Sequence, residues 1–200
     1  MRLYAPLIKS VRYKFLRIRL NTSYQTVLKC FDVFADDLIG DFDRIDICLY
    51  LLVKVRFILW LLTPKHKFAL FDLIYKQFID APNKKAEGEK HFDFNQDAGF
   101  IYSSFLQCYH IDLVGKDRKL HWWSFIALFS GLSDDTKIVQ IMSIRSRPLP
   151  KPTKFNAEER RQLMKLKHLY RLELSEGERK QQFQKGLAKV AIALQGLAQR

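Results

Sequence analysis

The sequence predicts a mainly α-helical protein: a helical domain that begins with a short N-terminal β-hairpin or strand pair and ends in a basic C-terminal helical extension. Three observations support this fold class. Phenylalanine occurs 16 times against 8 glycines and 6 prolines, a balance that favours long regular elements with few tight turns. Apolar residues recur with a helical period over most of the chain. Only the first 22 residues alternate with the period of a strand.

The N-terminal segment, residues 1–22, alternates apolar and basic residues. Val11 and Tyr13 share one face of an extended strand, and the alternation resumes in the opposite phase at Leu16 and Ile18. Such a change of phase indicates either a tight hairpin around residues 14–16 or a β-bulge. Neither Gly nor Asn marks the turn.

Six segments with apolar stripes complete a predicted helical body, residues 1–147. The segment from Asp41 to Leu62 is apolar on nearly every side, so we expect one long, central helix there. Ser133 is placed to cap the last helix of the body. The other helices are expected from Thr22 or Ser23 to Phe34, over residues 68–81, from about residue 95 to 109, and over about 118–130.

A linker and two basic helices are predicted for residues 148–200. Three prolines in five residues, from Pro148 to Pro152, exclude a helix in the linker. The final helix opens with a capping box, Ser175 and Glu178. Its apolar stripe includes Phe183, Leu187 and Val190. A short helix with such a stripe is marginal alone, so we expect it to bind a helical partner or a second copy of the chain.

The net charge of +13 is concentrated at the two ends of the chain. Residues 1–30 hold seven Lys or Arg and no acid, whereas residues 145–200 hold fourteen bases and five acids. Residues 31–144 are close to neutral, at −3. The basic ends suit either nucleic acid or an acidic protein partner. Candidate contacts on the first C-terminal helix are Arg160, Arg161 and Lys165.

The sequence offers no set of residues for catalysis, a metal or a cofactor. Three scattered cysteines form no CxxC pair, and five histidines show no metal-binding spacing. His121, near Asp112 and Asp117, could act as a general base only with a nucleophile beside it, and a structural role in the first turn of a helix is favoured. The most apolar run carries Lys54 and Arg56 at its centre, so no membrane span is expected.

Trp122 and Trp123 are the most conspicuous candidates for partner binding. Adjacent side chains on a helix point about 100° apart, so both cannot face the same core. We expect one tryptophan to lie in the core and the other at an edge or an interface, where aromatic rings are common.

A series of motifs over residues 92–147 carries a family resemblance. These motifs are Phe92-Asp93-Phe94, Gln96-Asp97, Ile101–Phe105, Tyr109, Ile111-Asp112-Leu113, Leu120–Trp123 and Met142–Arg145. They resemble a bacteriophage family, the gene-product-fifteen proteins, which are tail-morphogenesis proteins of siphophages that infect Gram-positive hosts. Weaker similarity covers residues 1–80 and 155–172. The sequence departs from the family pattern at the hairpin turn, usually Asx-Gly, and in a longer basic tail after Leu174.

The resemblance implies a tail assembly chaperone that acts in the cytoplasm of the host bacterium. Its implied partner is the tape measure protein, with the major tail tube protein as a second candidate. The alternative is a basic phage protein that binds nucleic acid. We favour the chaperone because the resemblance lies in the neutral body and not in the basic ends.

Overall fold

The N-terminal residues form a β-hairpin. In the computed structural model, which describes residues 6–80, 91–115 and 119–173, β1 (Ser10–Tyr13) pairs antiparallel with β2 (Leu16–Arg19). Tyr13 lies opposite Leu16 across a two-residue turn, which explains the change of phase in the sequence. Lys14, in that turn, has a φ of 52° and so adopts the left-handed conformation usually given to Asn or Gly. Of the two predicted alternatives, the hairpin is therefore confirmed, and the bulge is not.

Helices make up most of the described chain, and the mainly α fold class is confirmed. One group of helices consists of α1, α2 and α4, in which α2 packs on both α1 and α4. A second group consists of α5, α6 and α7, in which α5 packs on both α6 and α7. The packing of α1 on α6 joins the two groups. The helices of the described residues are α1 (Tyr24–Ala35), α2 (Asp41–Leu52), α3 (Phe57–Trp60), α4 (Pro64–Ile74), a π-helical turn (Tyr75–Ile79), α5 (Ala98–Tyr109), α6 (Trp122–Ser130), α7 (Lys137–Ser146) and α8 (Ala157–Leu169).

The prediction of one continuous helix from Asp41 to Leu62 is wrong. The helix ends at Leu52, because the next residues pair with the outer edge of β2. The Lys54 amide donates to the Arg19 carbonyl at 3.0 Å, and Val53 bridges to Leu20. These hydrogen bonds replace those of the helix, and they cannot be foreseen from a run of apolar residues. The second half of the segment forms the short helix α3 on the surface.

Two helix starts also differ from their predicted positions. Helix α6 begins at Trp122, with His121 as its N-cap, because His121 forms an antiparallel bridge with Ser23 and the Trp122 amide donates to the Thr22 carbonyl. Helix α7 begins at Lys137, so that Ser133 lies in the turn before it and Thr136 is the N-cap. Polar clusters can cap a helix at several positions, and the packing of the flanking chain selects one.

Aromatic rings fill the centre of the molecule. The Phe125 ring stacks on Tyr24 at 4.6 Å and on Phe105 at 5.2 Å between ring centroids. Phe94 and Trp122 adjoin Phe125 from the other side, at 5.9 Å each. Burial of rings of this size supplies the largest share of the hydrophobic stabilisation, with further gain from their offset and edge contacts.

The three cysteines are free. Cys30 and Cys48 are buried where α1 crosses α2, and the Cys48 thiol lies 3.8 Å from the Cys30 carbonyl. The hydrogen bond with Cys48, together with burial, raises the pKa of the Cys30 thiol. It therefore remains protonated and behaves as a small apolar side chain.

The compact unit runs to Tyr170, beyond the boundary at residue 147 that the sequence predicted. The proline-containing segment after α7 is not helical, and α8 then packs back onto α7 through the buried Leu163. The predicted final helix, with Phe183, Leu187 and Val190, lies outside the described residues.

Candidate partner-binding surfaces

His121 has a structural role at the start of α6. Its Nδ1 accepts a hydrogen bond from the Trp123 amide at 3.1 Å, and Nε2 lies 2.8 Å from the Ile8 carbonyl, to which it must donate. The neutral ring protonated on Nε2 satisfies both contacts. Burial lowers the pKa of His121 below its ordinary value; the hydrogen bond to Ile8 opposes this shift, and the nearby charge of Lys9 adds to it.

Both tryptophans donate to the end of the same helix. The indole N–H of Trp122 donates to the Ile79 carbonyl at 3.0 Å, and that of Trp123 donates to the Phe78 carbonyl at 2.7 Å. The last carbonyls of a helix have no partner within it, and these two belong to the π-helical turn that closes α4. The tryptophan pair therefore caps this helix end.

The two tryptophans differ in burial. Trp122 is fully buried, whereas Trp123 is only partly buried and packs edge-on against His121. This is the division expected from adjacent positions on a helix. The hydrogen bonds to consecutive carbonyls were not foreseen, because the helix that receives them lies more than 40 residues away in sequence.

An ion pair missed by the sequence analysis joins α7 to the start of α5. Arg145 forms two hydrogen bonds to Asp97, at 2.6 and 2.8 Å, and only 10% and 2% of the two side chains are exposed. Arg145 also donates to the carbonyls of His91 and Tyr170. The Arg145 guanidinium therefore connects α7 to the segment before α5 and to the residues after α8. No local signal marks this pair, because 48 residues separate its members.

The three basic candidates on α8 differ in their surroundings. Arg160 is partly buried and donates to the Pro150 carbonyl, so it fixes the linker to the helix. Arg161 is exposed and pairs with Glu158 at 3.1 Å. Lys165 is exposed. As partner contacts, all three remain predictions, together with Phe183, Leu187 and Val190.

An exposed apolar surface lies on α3, where the sequence predicted a buried helix. Phe57, Trp60 and Leu61 leave 66%, 89% and 77% of their area in solvent. The spacing i, i+3, i+4 places them side by side on one helix face. Arg56 fixes this helix to α2 by donating to the Tyr50 carbonyl at 3.1 Å while its guanidinium lies 3.9 Å above the Tyr50 ring. We call these three residues the α3 surface.

The tip of the hairpin adds apolar area near the α3 surface. Phe15 is fully exposed and Leu16 is half-exposed. The tip adjoins the first turn of α4, where His66 contacts the Tyr13 hydroxyl at 3.1 Å and Lys14 at 3.3 Å. Because α3 ends three residues before α4, the hairpin tip and the α3 surface both adjoin the start of α4.

A mainly apolar hollow with a volume of about 290 Å³ lies beside α1. Leu28, Phe31 and Ala35 form its wall on the helix, and Phe92 and Phe94 close it from the segment before α5. It has the size and lining to hold an apolar side chain.

The described parts of the chain contain neither a group of metal-binding side chains nor a helix that is long and apolar enough to cross a membrane. The features that they do present are a rigid aromatic core, exposed apolar residues and many unpaired cations. Together they define a helical protein whose surface suits contacts with other macromolecules.

The family model described as Bacteriophage Gp15 protein matches residues 3–172, and the chain belongs to this family. Membership indicates a phage structural or morphogenesis protein. The match spans nearly all of the compact unit, including the tryptophan pair and the Arg145–Asp97 ion pair. Comparison with curated proteins finds no match, and neither does comparison with solved structures.

Proposed function

We propose that this protein is a tail assembly chaperone that binds the tape measure protein before the tail tube forms around it. The observation that carries the proposal is the α3 surface: three large apolar side chains, adjacent on one helix face and mostly in solvent. Exposed apolar residues clustered in this way mark interaction sites, whereas single ones do not.

The partner follows from the family resemblance and from its physical chemistry. A tape measure protein is a long, largely helical polymer that exposes apolar surface until the tube encloses it. A chaperone for such a polymer needs apolar stripes that can pack against helices. The α3 surface and the hairpin tip supply such groups next to the start of α4, and the hollow beside α1 supplies a receptor for a protruding side chain.

Co-expression with the tape measure protein of the same genome tests the proposal. Purification at about 0.5 M salt removes binding that depends only on exposed charges, since the Debye length there is well under 10 Å. We expect the wild-type chain to co-purify and Trp60→Ala/Leu61→Ala to be lost from the complex. The matched control is Phe155→Ala/Leu169→Ala, which removes equally exposed apolar side chains elsewhere and should leave co-purification unchanged.

Two outcomes would contradict the proposal. One is equal co-purification of the α3 variant and the wild type. The other is failure of the wild type to co-purify, together with tight, salt-sensitive binding to DNA, which would favour the nucleic-acid alternative.

A further inference from the structure

Six cations line a continuous basic groove at the junction of the hairpin, α1 and the segment after α2. Two adjoining hollows of about 510 and 680 Å³ share Thr22 and Lys54. Hydroxyl and amide side chains complete the polar lining, and among the described residues no carboxylate contributes to it. The cations that define the basic groove are Lys9, Arg17, Arg19, Lys29, Lys54 and Lys119.

The charges of the basic groove are left unbalanced by the described part of the chain. Elsewhere Arg44, Lys67 and Arg145 each pair with an aspartate, but none of the six groove cations has a carboxylate of the described residues within ion-pair distance. Arg17 also lies directly opposite Arg12 across the hairpin, a like-charge pairing that costs stability. An anion bound in the groove would relieve this repulsion.

The complementary charge lies at the other end of the same pair of helices. The connection between α1 and α2 carries Asp36 and Asp37, and the first turn of α2 carries Asp41 and Asp43; all four are exposed, and Leu38 between them is almost fully exposed. We call residues 36–43 the acidic loop. Arg44 offsets only part of its charge, through contacts of 2.9 Å to Asp41 and 4.0 Å to Asp37.

One copy of the chain cannot join its own two surfaces. Helices α1 and α2 run antiparallel, since Cys48 meets Cys30 and Arg44 meets the Asp36 carbonyl. The acidic loop therefore lies at the closed end of the helix pair and the basic groove at its open end. Along α1, the acidic loop begins seven residues after Lys29, the last groove cation on this helix, which corresponds to about 10 Å of rigid helix.

We propose that the acidic loop of one copy binds in the basic groove of the next, so that the chains associate head to tail. The two hollows of the groove, about 510 and 680 Å³, are large enough to take several side chains of a protein loop that carries aspartates. None of the described residues that line it is aromatic, whereas single-stranded nucleic acid is commonly held by stacking on aromatic rings. A contact between different surfaces of identical chains continues from copy to copy and gives open chains or rings.

Paired charge reversals test this arrangement. The groove variant is Arg19→Glu/Lys54→Glu and the loop variant is Asp37→Lys/Asp43→Lys; all four side chains are exposed, so both variants should retain the wild-type helical circular dichroism. In sedimentation equilibrium at about 50 mM salt, we expect the wild-type mass to rise with concentration, and to fall towards the 23.7 kDa monomer at about 0.5 M salt.

Each variant alone should stay at 23.7 kDa, because its two surfaces then carry charge of the same sign. An equimolar mixture of the two variants should associate again, since each groove then meets a loop of opposite charge. Lys151→Glu/Lys165→Glu, an equal charge change outside the groove, should associate like the wild type. Association tested with the purified chain alone is independent of binding to the tape measure protein, so either proposal can fail without the other.

Four results would overturn the inference: a wild-type chain that stays monomeric at low salt, a mixture that does not associate, a control variant that loses association, or a loop variant that associates like the wild type. If the groove variant alone then lost binding of a duplex oligonucleotide or of a polyglutamate peptide, the occupant of the groove would be that class of polyanion and not a second copy.

Discussion

His121 shows how a single side chain is fixed by its neighbours. Each ring nitrogen has its own backbone partner, the Trp123 amide and the Ile8 carbonyl, and only the neutral ring protonated on Nε2 satisfies both. Protonation of the ring would add a hydrogen to Nδ1. That hydrogen would point at the Trp123 amide hydrogen, and the hydrogen bond from the Trp123 amide to Nδ1 would be lost. The ring is therefore built into the start of α6 in its neutral form.

This environment predicts a pH dependence of stability. The pKa of His121 is lowered by burial in the folded state, so the unfolded chain takes up the proton first as the pH falls. The free energy of unfolding should decrease as the pH falls below about 6.5, and the decrease should end once the pH is below the folded pKa. His121→Asn keeps an N-cap side chain but has no imidazole.

Urea unfolding of both proteins between pH 7.5 and pH 5 measures the effect. Shared carboxylates titrate in both, so the difference between the curves isolates His121. We expect the wild type to lose more stability than His121→Asn over this range. If the free energy of unfolding changed with pH in parallel for the two proteins, the pKa of His121 would be the same in the folded and unfolded states, and the prediction would be wrong.

At the scale of elements, the tryptophan pair joins α6 to the end of α4. Two indole N–H groups satisfy consecutive carbonyls of the π-helical turn, which have no donor within their own helix. The sequence correctly indicates that one tryptophan is buried and the other lies at an edge. It gives no indication that both serve one helix end, because that contact depends on how α4 and α6 are packed.

Substitutions of this pair should have graded effects. Trp122→Ala removes a fully buried ring and should lower the free energy of unfolding by about 3–5 kcal/mol. Trp123→Phe keeps an aromatic ring but loses the hydrogen bond to Phe78, which should cost about 1 kcal/mol. Trp60→Ala, at an exposed tryptophan, is the control and should lie within about 0.5 kcal/mol of the wild type.

Urea unfolding at pH 7 measures all three values. Equal and severe loss from Trp122→Ala and Trp123→Phe would contradict the division of roles. A stability loss from Trp60→Ala comparable with that from Trp122→Ala would show that α3 is not a surface element.

Across the whole molecule, Arg145 connects parts of the chain that are far apart in sequence. Its guanidinium contacts Asp97 at the start of α5, the His91 carbonyl and the Tyr170 carbonyl after α8. The family match ends at residue 172, just after this last contact. The Arg145 contacts therefore help to explain why α8 belongs to the compact unit.

Removal of one member of this buried pair should be strongly destabilising. Arg145→Met leaves the Asp97 carboxylate without its partner, and we expect a loss of about 3–5 kcal/mol in the free energy of unfolding. Replacement of both members, Arg145→Met/Asp97→Leu, removes the uncompensated charge and should recover part of that loss. Arg161→Met breaks an exposed pair with Glu158 and should change stability by less than about 1 kcal/mol.

Guanidinium unfolding of the four proteins gives the comparison. A double variant no more stable than Arg145→Met, or an Arg145→Met loss no larger than that of Arg161→Met, would contradict a role for this ion pair in joining the segments.

Local patterns in the sequence were enough to predict the mainly α fold class, an extended N-terminal segment and the split between a buried and a partly buried tryptophan. These properties depend on local periodicity, since a run of ten or so residues is enough to show which face is apolar. The change of phase between Tyr13 and Leu16 left a hairpin and a bulge as alternatives, and the pairing of these two residues in the structure identifies the hairpin.

The end of α2, the apolar residues that remain in solvent and the pairing of charges all depend on tertiary contacts. The edge of β2 takes the backbone of Val53 and Lys54 out of the helix, and α3 thereby reaches the surface. Asp97 finds Arg145, whereas Arg19 and Lys54 find no carboxylate among the described residues. Such outcomes depend on contacts between residues far apart in sequence, and local composition carries no information about them.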